Sequence, residues 1–535
     1  MSDKNFFITT PIYYSNGIPH IGHAYSSLLA DTIAASKRLS GTHVKLSTGV
    51  DENSQKVVES ALESGMETMA YADMMAEKHR AVWDGIGIRY TDFIRTTESR
   101  HREFVQSVLQ KSFDAWDIYE WVYEGKYCVG CEGFKKDSDL VKKNISRHSE
   151  EWIIQDGKEM DPSQTQDDEA QVELICPDHP NKPLEYLKEK NYFFRLSKYQ
   201  ERLIEFYESH PDFITPHSRF AEVREFVKAG LEDFSISRET NKFGISLPFD
   251  PTQVTYVWYD ALFNYLTVCQ WEEEKWWPAD LHVIGKDIVR FHAIYWPAML
   301  WSAGYEPPSQ LLVTGHFTVD GQKMSKSIGN VIDPVAYIGE YSRDLLVNYL
   351  FTAFPIGEDG DFDQREAILQ YNAKLSNNLG NLLNRSLTLA LKLDSGKVGS
   401  YEESSIAGKR DDYISKYMWY IETYDLKWAL DVSFSFATEL NQYIDEKKPW
   451  KLDPTLPEEK IALDQTLSTI MIGLAFLGYN LSPFFEEKMR EMLDRIGVGK
   501  GWEIDHGFTV REKWEPLYMR LEVENYGKKS RGLEV

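Results

Sequence analysis

Two short strings in this chain hold residue types that phosphate chemistry needs. The first is Pro19-His20-Ile21-Gly22-His23. Its imidazoles are three residues apart and share a helical face, and its glycine leaves room for a nucleotide to approach the backbone. A helix beginning there turns unpaired N–H groups and the positive end of its dipole toward an anion. The second is Lys323-Met324-Ser325-Lys326-Ser327, preceded by Asp320-Gly321-Gln322 and followed by Ile328-Gly329-Asn330. Two ammonium groups on a glycine-flanked loop can swing onto a polyphosphate as negative charge develops during phosphate displacement. His20, His23, Lys323 and Lys326 are therefore the candidate catalytic residues, with Gly22 and Ser325 as further candidate nucleotide contacts. Either string alone also fits ordinary solvated surface. Neither Gly-x-Gly-x-x-Gly nor Gly-x4-Gly-Lys-Ser/Thr occurs, so the two commonest phosphate loops are excluded.

A third cluster suits a metal. Cys128-Val129-Gly130-Cys131 and Cys176-Pro177-Asp178-His179 form two ligand pairs, and three thiolates with one imidazole are a common tetrahedral zinc set. With four protein ligands no position remains open for a substrate, so the expected ion is structural, one per chain. The 44 intervening residues, 132 to 175, exceed the roughly 12–20 of common zinc modules. The plain alternative is reduced buried cysteines and a surface histidine. Cys269, in an apolar helical run, reads as packing.

Two aromatic stripes complete the list. Trp258, Ala261, Leu262 and Tyr265 recur at i, i+3, i+4 and i+7, and Ile288, His292 and Trp296 at i, i+4 and i+8. Such stripes are ordinarily core. His292 sets the second apart, because aromatic rings pack well on a polarizable thioether and an imidazole can sense its sulfur as a weak acceptor.

These residues need a frame. Phe6-Phe7-Ile8-Thr9-Thr10 reads as a buried strand, helical spacing follows from residue 20 to Gly41, and a second strand covers 44 to 48. This βαβ unit puts its functional loops at the carboxyl edge of a parallel sheet, where Asp51 falls. Strand 281–284, helix 287–302 and strand 310–314 form a second such unit. The expected fold class is α/β: a doubly wound, Rossmann-like sheet in two halves (1–116 and 243–320), an inserted connective domain with the zinc knuckle (117–242), and a loop and linker region (321–370). Amphipathic runs at 373–393 and 412–444 predict an α-helical bundle over 371–535. A chain of 535 residues with 42% hydrophobic and 13% aromatic content can bury several cores. No unbroken apolar stretch approaches the roughly 20 residues of a membrane span, the N-terminus lacks the sections of a secretory signal, and a cytoplasmic address follows. The net charge of −25 does not exclude a nucleic acid partner, since a local basic surface can coexist with an acidic remainder.

Both phosphate strings follow strands of one sheet, in the order and separation found in class I aminoacyl-tRNA synthetases. Thr10-Pro11-Ile12-Tyr13-Tyr14-Ser15-Asn16-Gly17 resembles the first signature of the methionyl-tRNA synthetases. Tyr256-Val257-Trp258-Tyr259-Asp260-Ala261-Leu262-Phe263-Asn264-Tyr265 resembles the second, and Gly285-Lys286-Asp287-Ile288-Val289-Arg290-Phe291-His292-Ala293-Ile294-Tyr295-Trp296-Pro297-Ala298 the third. The resemblance covers nearly the whole chain. It implies activation of L-methionine with Mg-ATP and transfer to initiator and elongator methionine tRNA. It implies a methionine pocket of Ile12, Tyr14, Trp258, Ala261, Tyr265, Ile288, His292 and Trp296, with Asp51 on the substrate ammonium. It also implies anticodon contacts from Trp450, in Lys447-Lys448-Pro449-Trp450, and from Asn384 and Arg385 near Asn381. Family members with one zinc knuckle have a shorter connection, so an extra loop is expected between Cys131 and Cys176. The chain ends soon after Glu515-Pro516-Leu517-Tyr518, which resembles the close of the family's core and implies a monomer. Rival readings are a leucine or cysteine enzyme of the same class, and a non-catalytic tRNA-binding paralogue. The former differ by a large editing insertion or an active-site thiolate zinc; decayed phosphate motifs would mark the latter.

Overall fold

The computed structural model describes residues 5–128, 133–135, 137–145, 153–155, 158–160, 171–177, 183–239, 243–270, 275–319, 321–324, 329–393, 396–499, 507–510 and 515–523. Its centre is a six-stranded parallel sheet. β1 (Asn5–Tyr14) runs into α1 (Ile21–Leu39), then β2 (His43–Asp51) and, two helices later, β3 (Asp92–Arg95). On the other side of β1 lie the strands Leu281–Gly285, Leu311–Thr314 and Ile214–Thr215, in that order. The strand order reverses beside β1, the place where open α/β sheets bind ligands beyond their strand ends.

Alternation along the strands divides the core between the two faces of the sheet. Leu281, Val283 and Leu312 point into one cluster with α1 and the helical domain, whereas Ile284, Leu311 and Val313 point into another with Trp296, Tyr259 and Phe263. The β1/β2 ladder is irregular between Thr9 and Ile12, where Pro11 has no N–H to give.

From this body an antiparallel pair, Ile118–Cys128 with Leu184–Phe194, carries the chain out and back over eleven residues on each side. Residues 196–238 return to the body before the boundary at 242. Ile214–Thr215, within the expected insertion, is the edge strand of the central sheet, and Leu203, Phe220 and Val227 belong to its core. Two residues followed by Pro216 are too short to show a period in sequence.

The expected helical run from 412 to 444 is two helices, Ser404–Glu422 and Leu426–Lys447, broken where Tyr424 adopts φ +61°. Pro457–Leu481 is long and apolar enough to cross a membrane by composition, but most of it is buried in the helical bundle. The bundle is keyed to the sheet by ions. Fully buried Asp31 on α1 accepts from the Arg89 backbone N–H (2.9 Å), Arg89 Nη2 (2.8 Å) and Arg343 Nη2 (3.3 Å). Arg89 also reaches Glu486, and Arg343 donates to the Phe484 carbonyl of the bundle.

Candidate functional site

His20 is the N-cap of α1, and the cap sets the hydrogen-bonding state of both imidazoles. The Gly22 N–H donates to His20 Nδ1 (3.1 Å), and the His20 N–H donates to His23 Nδ1 (3.2 Å). A ring nitrogen that accepts an N–H carries no proton, so in each neutral ring the proton sits on Nε2. The rings lie 4.0 Å apart. Burial, and then His20 beside it, pushes the His23 pKa down to about 3, so this imidazole is neutral at physiological pH.

The second phosphate string comes to the first. A Cβ on Gly22 would lie 3.4 Å from Met324 Cε, and the Ile21 N–H donates to the Ile332 carbonyl (3.0 Å). Both flanks of the lysine loop thus meet the start of α1. Lys323 ends the strand Gln322–Lys323, paired with Thr318, and Ser325 and Lys326 lie outside the described residues.

Beside this edge is a partly open cavity of about 30 Å³, lined by Ile12, Tyr14, Asp51, Trp258, Ala261, Tyr265, Ile288 and His292. Eight of the nine residues expected in the amino-acid pocket are brought together there. Asp51 is the last residue of β2, opposite Tyr14, and Trp258 is stacked on Phe291 at 3.9 Å. Trp296 does not line the cavity: fully buried, it sits one layer behind and donates from Nε1 to His282 (3.4 Å).

The role expected of His292 also changes. Its Nδ1 faces the Ile288 carbonyl (3.0 Å), which can only accept, so Nδ1 carries the proton and Nε2 accepts from the Tyr265 hydroxyl (2.8 Å). Burial lowers its pKa to about 4, so the ring is neutral and keeps no N–H for a thioether. His292 instead orients Tyr265.

Sequence reasoning passed over His282, which Thr9 (2.7 Å) and Trp296 hold under Tyr265. A histidine inside an apolar parallel strand was the available signal. Pro11, Leu262 and Asn264 line the cavity as well.

Cys128 and Cys176 are both buried in one small cluster with Leu140, flanked by Leu174 and Leu184. Cys131 and His179 lie outside the described residues, and no group of three metal-ligating side chains forms among those described.

In the helical domain Arg385 pairs with Asp445 (2.5 Å), and its guanidinium lies 5.2 Å from the centre of the Trp450 ring. Trp450 is 42% exposed. Asn384 lies on an open groove of about 450 Å³ between one helix wall, with Asn377 and Asn381, and the strand of chain holding Tyr518 and Arg520.

The chain matches the family model described as tRNA synthetases class I (M) over residues 6–387. It is 38% identical to the methionine–tRNA ligase of Caldanaerobacter subterraneus subsp. tengcongensis, covering 97% of this chain and 80% of that protein. It is also 38% identical to the methionine–tRNA ligase of a Nostoc species, covering 97% and 98%. Among solved structures, Mycobacterium tuberculosis methionyl-tRNA synthetase in complex with methionyl-adenylate superposes with a TM-score of 0.85 at 32% identity, over 97% of this chain and all of that one.

Proposed function

This chain belongs to the class I methionyl-tRNA synthetases, and we propose that it performs its methionine–tRNA ligase reaction with the residues above in the following roles. The methionine carboxylate attacks the α-phosphorus of Mg-ATP. An O–P bond forms, the bond to pyrophosphate breaks, and methionyl-adenylate remains. The terminal ribose hydroxyl of the tRNA then attacks the mixed anhydride and releases AMP. Asp51 holds the substrate ammonium. Ile12, Tyr14, Trp258, Ala261 and Ile288 enclose the side chain, and Tyr265 is held by His292.

His20 and His23 donate from Nε2 to the leaving phosphates on one side, with Gly22 allowing close approach. Lys323 and Lys326, with Ser325, act from the other. What supports this is the contact of Met324 with Gly22 and of Ile332 with Ile21, which brings two strings three hundred residues apart to one helix start. Catalysis is then positioning plus stabilisation of developing charge.

Amino-acid-dependent exchange of pyrophosphate into ATP tests the assignment. Methionine should support it far better than leucine or cysteine, and equal exchange with leucine would overturn the pocket. Lys326→Ala and His23→Ala should slow exchange by roughly 10²–10³-fold with little change in methionine affinity.

Cys128, Cys131, Cys176 and His179 hold one structural zinc ion in this reading, supported by the burial of Cys128 and Cys176 in a shared cluster. Metal analysis should find about one equivalent, lost in Cys176→Ser. Trp450, Arg385 and Asn384 contact the anticodon of methionine tRNA, with Trp450 as the stacking surface and the adjoining groove as a seat for an unstacked base.

A further inference from the structure

The amide of Asn264, a residue in the wall of the amino-acid cavity, has an acceptor to spare. Asn264 is 1% exposed and lines the cavity together with Asp51. Its Nδ2 donates to the Ala261 carbonyl at 2.6 Å. A carbonyl can only accept, so the amide nitrogen must face it, and this fixes Oδ1 on the other side. Among the described residues that Oδ1 has no hydrogen-bond partner. A buried acceptor left unmade is costly, and an apolar residue would pack there without the penalty. The neighbouring Tyr265 hydroxyl does not supply the donor, because its proton is committed to His292.

We propose that Asn264 Oδ1 is a second acceptor for the α-ammonium of the amino-acid substrate, beside Asp51, and so selects for α-amino acids. The inference rests on the reading of this cavity as the methionine site. Methionine offers hydrogen-bond donors only at its ammonium: the carboxylate and the thioether accept. A donor-seeking oxygen on a residue that lines this cavity therefore matches one end of the substrate. The two acceptors are also held in fixed relation. Asp260, fully buried and four residues before Asn264, accepts from Asn53 Nδ2 (2.9 Å) and Thr255 Oγ1 (3.0 Å), and Asn53 lies two residues beyond Asp51. Asn53 Nδ2 also donates to the Thr96 carbonyl (3.1 Å), which ties the same point to the end of β3. The helical turn bearing Asn264 and the strand end bearing Asp51 thus form one rim. An ammonium has three N–H groups, and a carboxylate with a neutral amide oxygen satisfies it without placing a second negative charge in a buried site.

The test is calorimetric titration of the intact enzyme with L-methionine and with 4-(methylthio)butanoate, the same molecule without the ammonium. Asn264→Ala should weaken methionine binding by roughly 10-fold or more, the scale of a hydrogen bond to a charged group. Binding of the des-amino acid should change by less than about twofold. Equal losses for both ligands would show that Asn264 acts by packing and overturn the proposal, as would no loss for either. Asn264→Ser, whose hydroxyl can take over donation to the helix carbonyl, must show the same selective loss if the alanine variant folds poorly. Asp51→Asn separates the two levels of inference. If it too fails to distinguish the ligands, the assignment of the cavity's ammonium end is wrong; if it distinguishes them and Asn264→Ala does not, only the role of Asn264 is refuted.

Discussion

Adding one methyl group at Gly22 should separate stability from catalysis. Gly22 has an ordinary helical conformation in the first turn of α1, so alanine fits the backbone and gains up to about 1 kcal/mol in helix propensity. Its Cβ, however, would sit 3.0 Å from His20 Cε1, 3.1 Å from His20 Nδ1 and 3.4 Å from Met324 Cε. The imidazole must give by a few tenths of an ångström. That lengthens the 3.1 Å bond from Gly22, which as a net hydrogen bond contributes about 0.5–1.5 kcal/mol. Gain and loss nearly cancel, and the melting temperature should move by less than about 4 °C. The reaction has no such offset. The His20 Nε2 donor shifts away from the leaving phosphates and Met324 is pushed off the helix start, so pyrophosphate exchange at saturating methionine should fall by about 10²-fold, the low end for losing a preorganised donor. Melting curves and exchange rates measured on the same preparation decide the matter. Exchange within threefold of the parent at unchanged stability would refute the placement of ATP phosphates on this helix start; losses of both in parallel would show that Gly22 serves folding only.

Trp450→Ala should reduce aminoacylation by roughly 5–150-fold, from the ~1–3 kcal/mol of base stacking, and leave pyrophosphate exchange intact; equal loss of both activities would count against the anticodon role. Asp31→Ala leaves Arg89 and Arg343 without their shared carboxylate and should destabilise the protein by about 3–5 kcal/mol in denaturant titration, and a loss under 1 kcal/mol would show that the bundle is not keyed through this residue. Burial raises the Asp344 pKa to about 6, above its unfolded value, so its contribution is present in acid and is lost as pH rises through 6. Asp344→Asn should therefore gain stability relative to the parent as pH rises from about 3.8 to about 6, by up to about 3 kcal/mol in all, and a pH-independent difference across that window would contradict the shift.

What the sequence determined by itself follows from local spacing. The αβ frame and the start of α1 at His20 are consequences of strand and helix periods, which short stretches of chain carry, whereas the grouping of Trp258, Ala261, Tyr265, Ile288 and His292 in one pocket was implied by the family resemblance. The motif order carried the family. Tertiary structure decided everything that depends on partners distant in sequence. Trp296 obeys the stripe but lies behind the cavity, because period assigns a face of a helix and not a depth. The helix carbonyl of Ile288 and the hydroxyl of Tyr265 together set the tautomer of His292 and remove the N–H expected for sulfur. The strand Ile214–Thr215 is a strand only because Leu311–Thr314 pairs with it. The buried contact of Asp31 with Arg343, 312 residues away, has no local signature, since hydrogen bonds and ion pairs at long range are selected by the packed chain and not by the residues beside them.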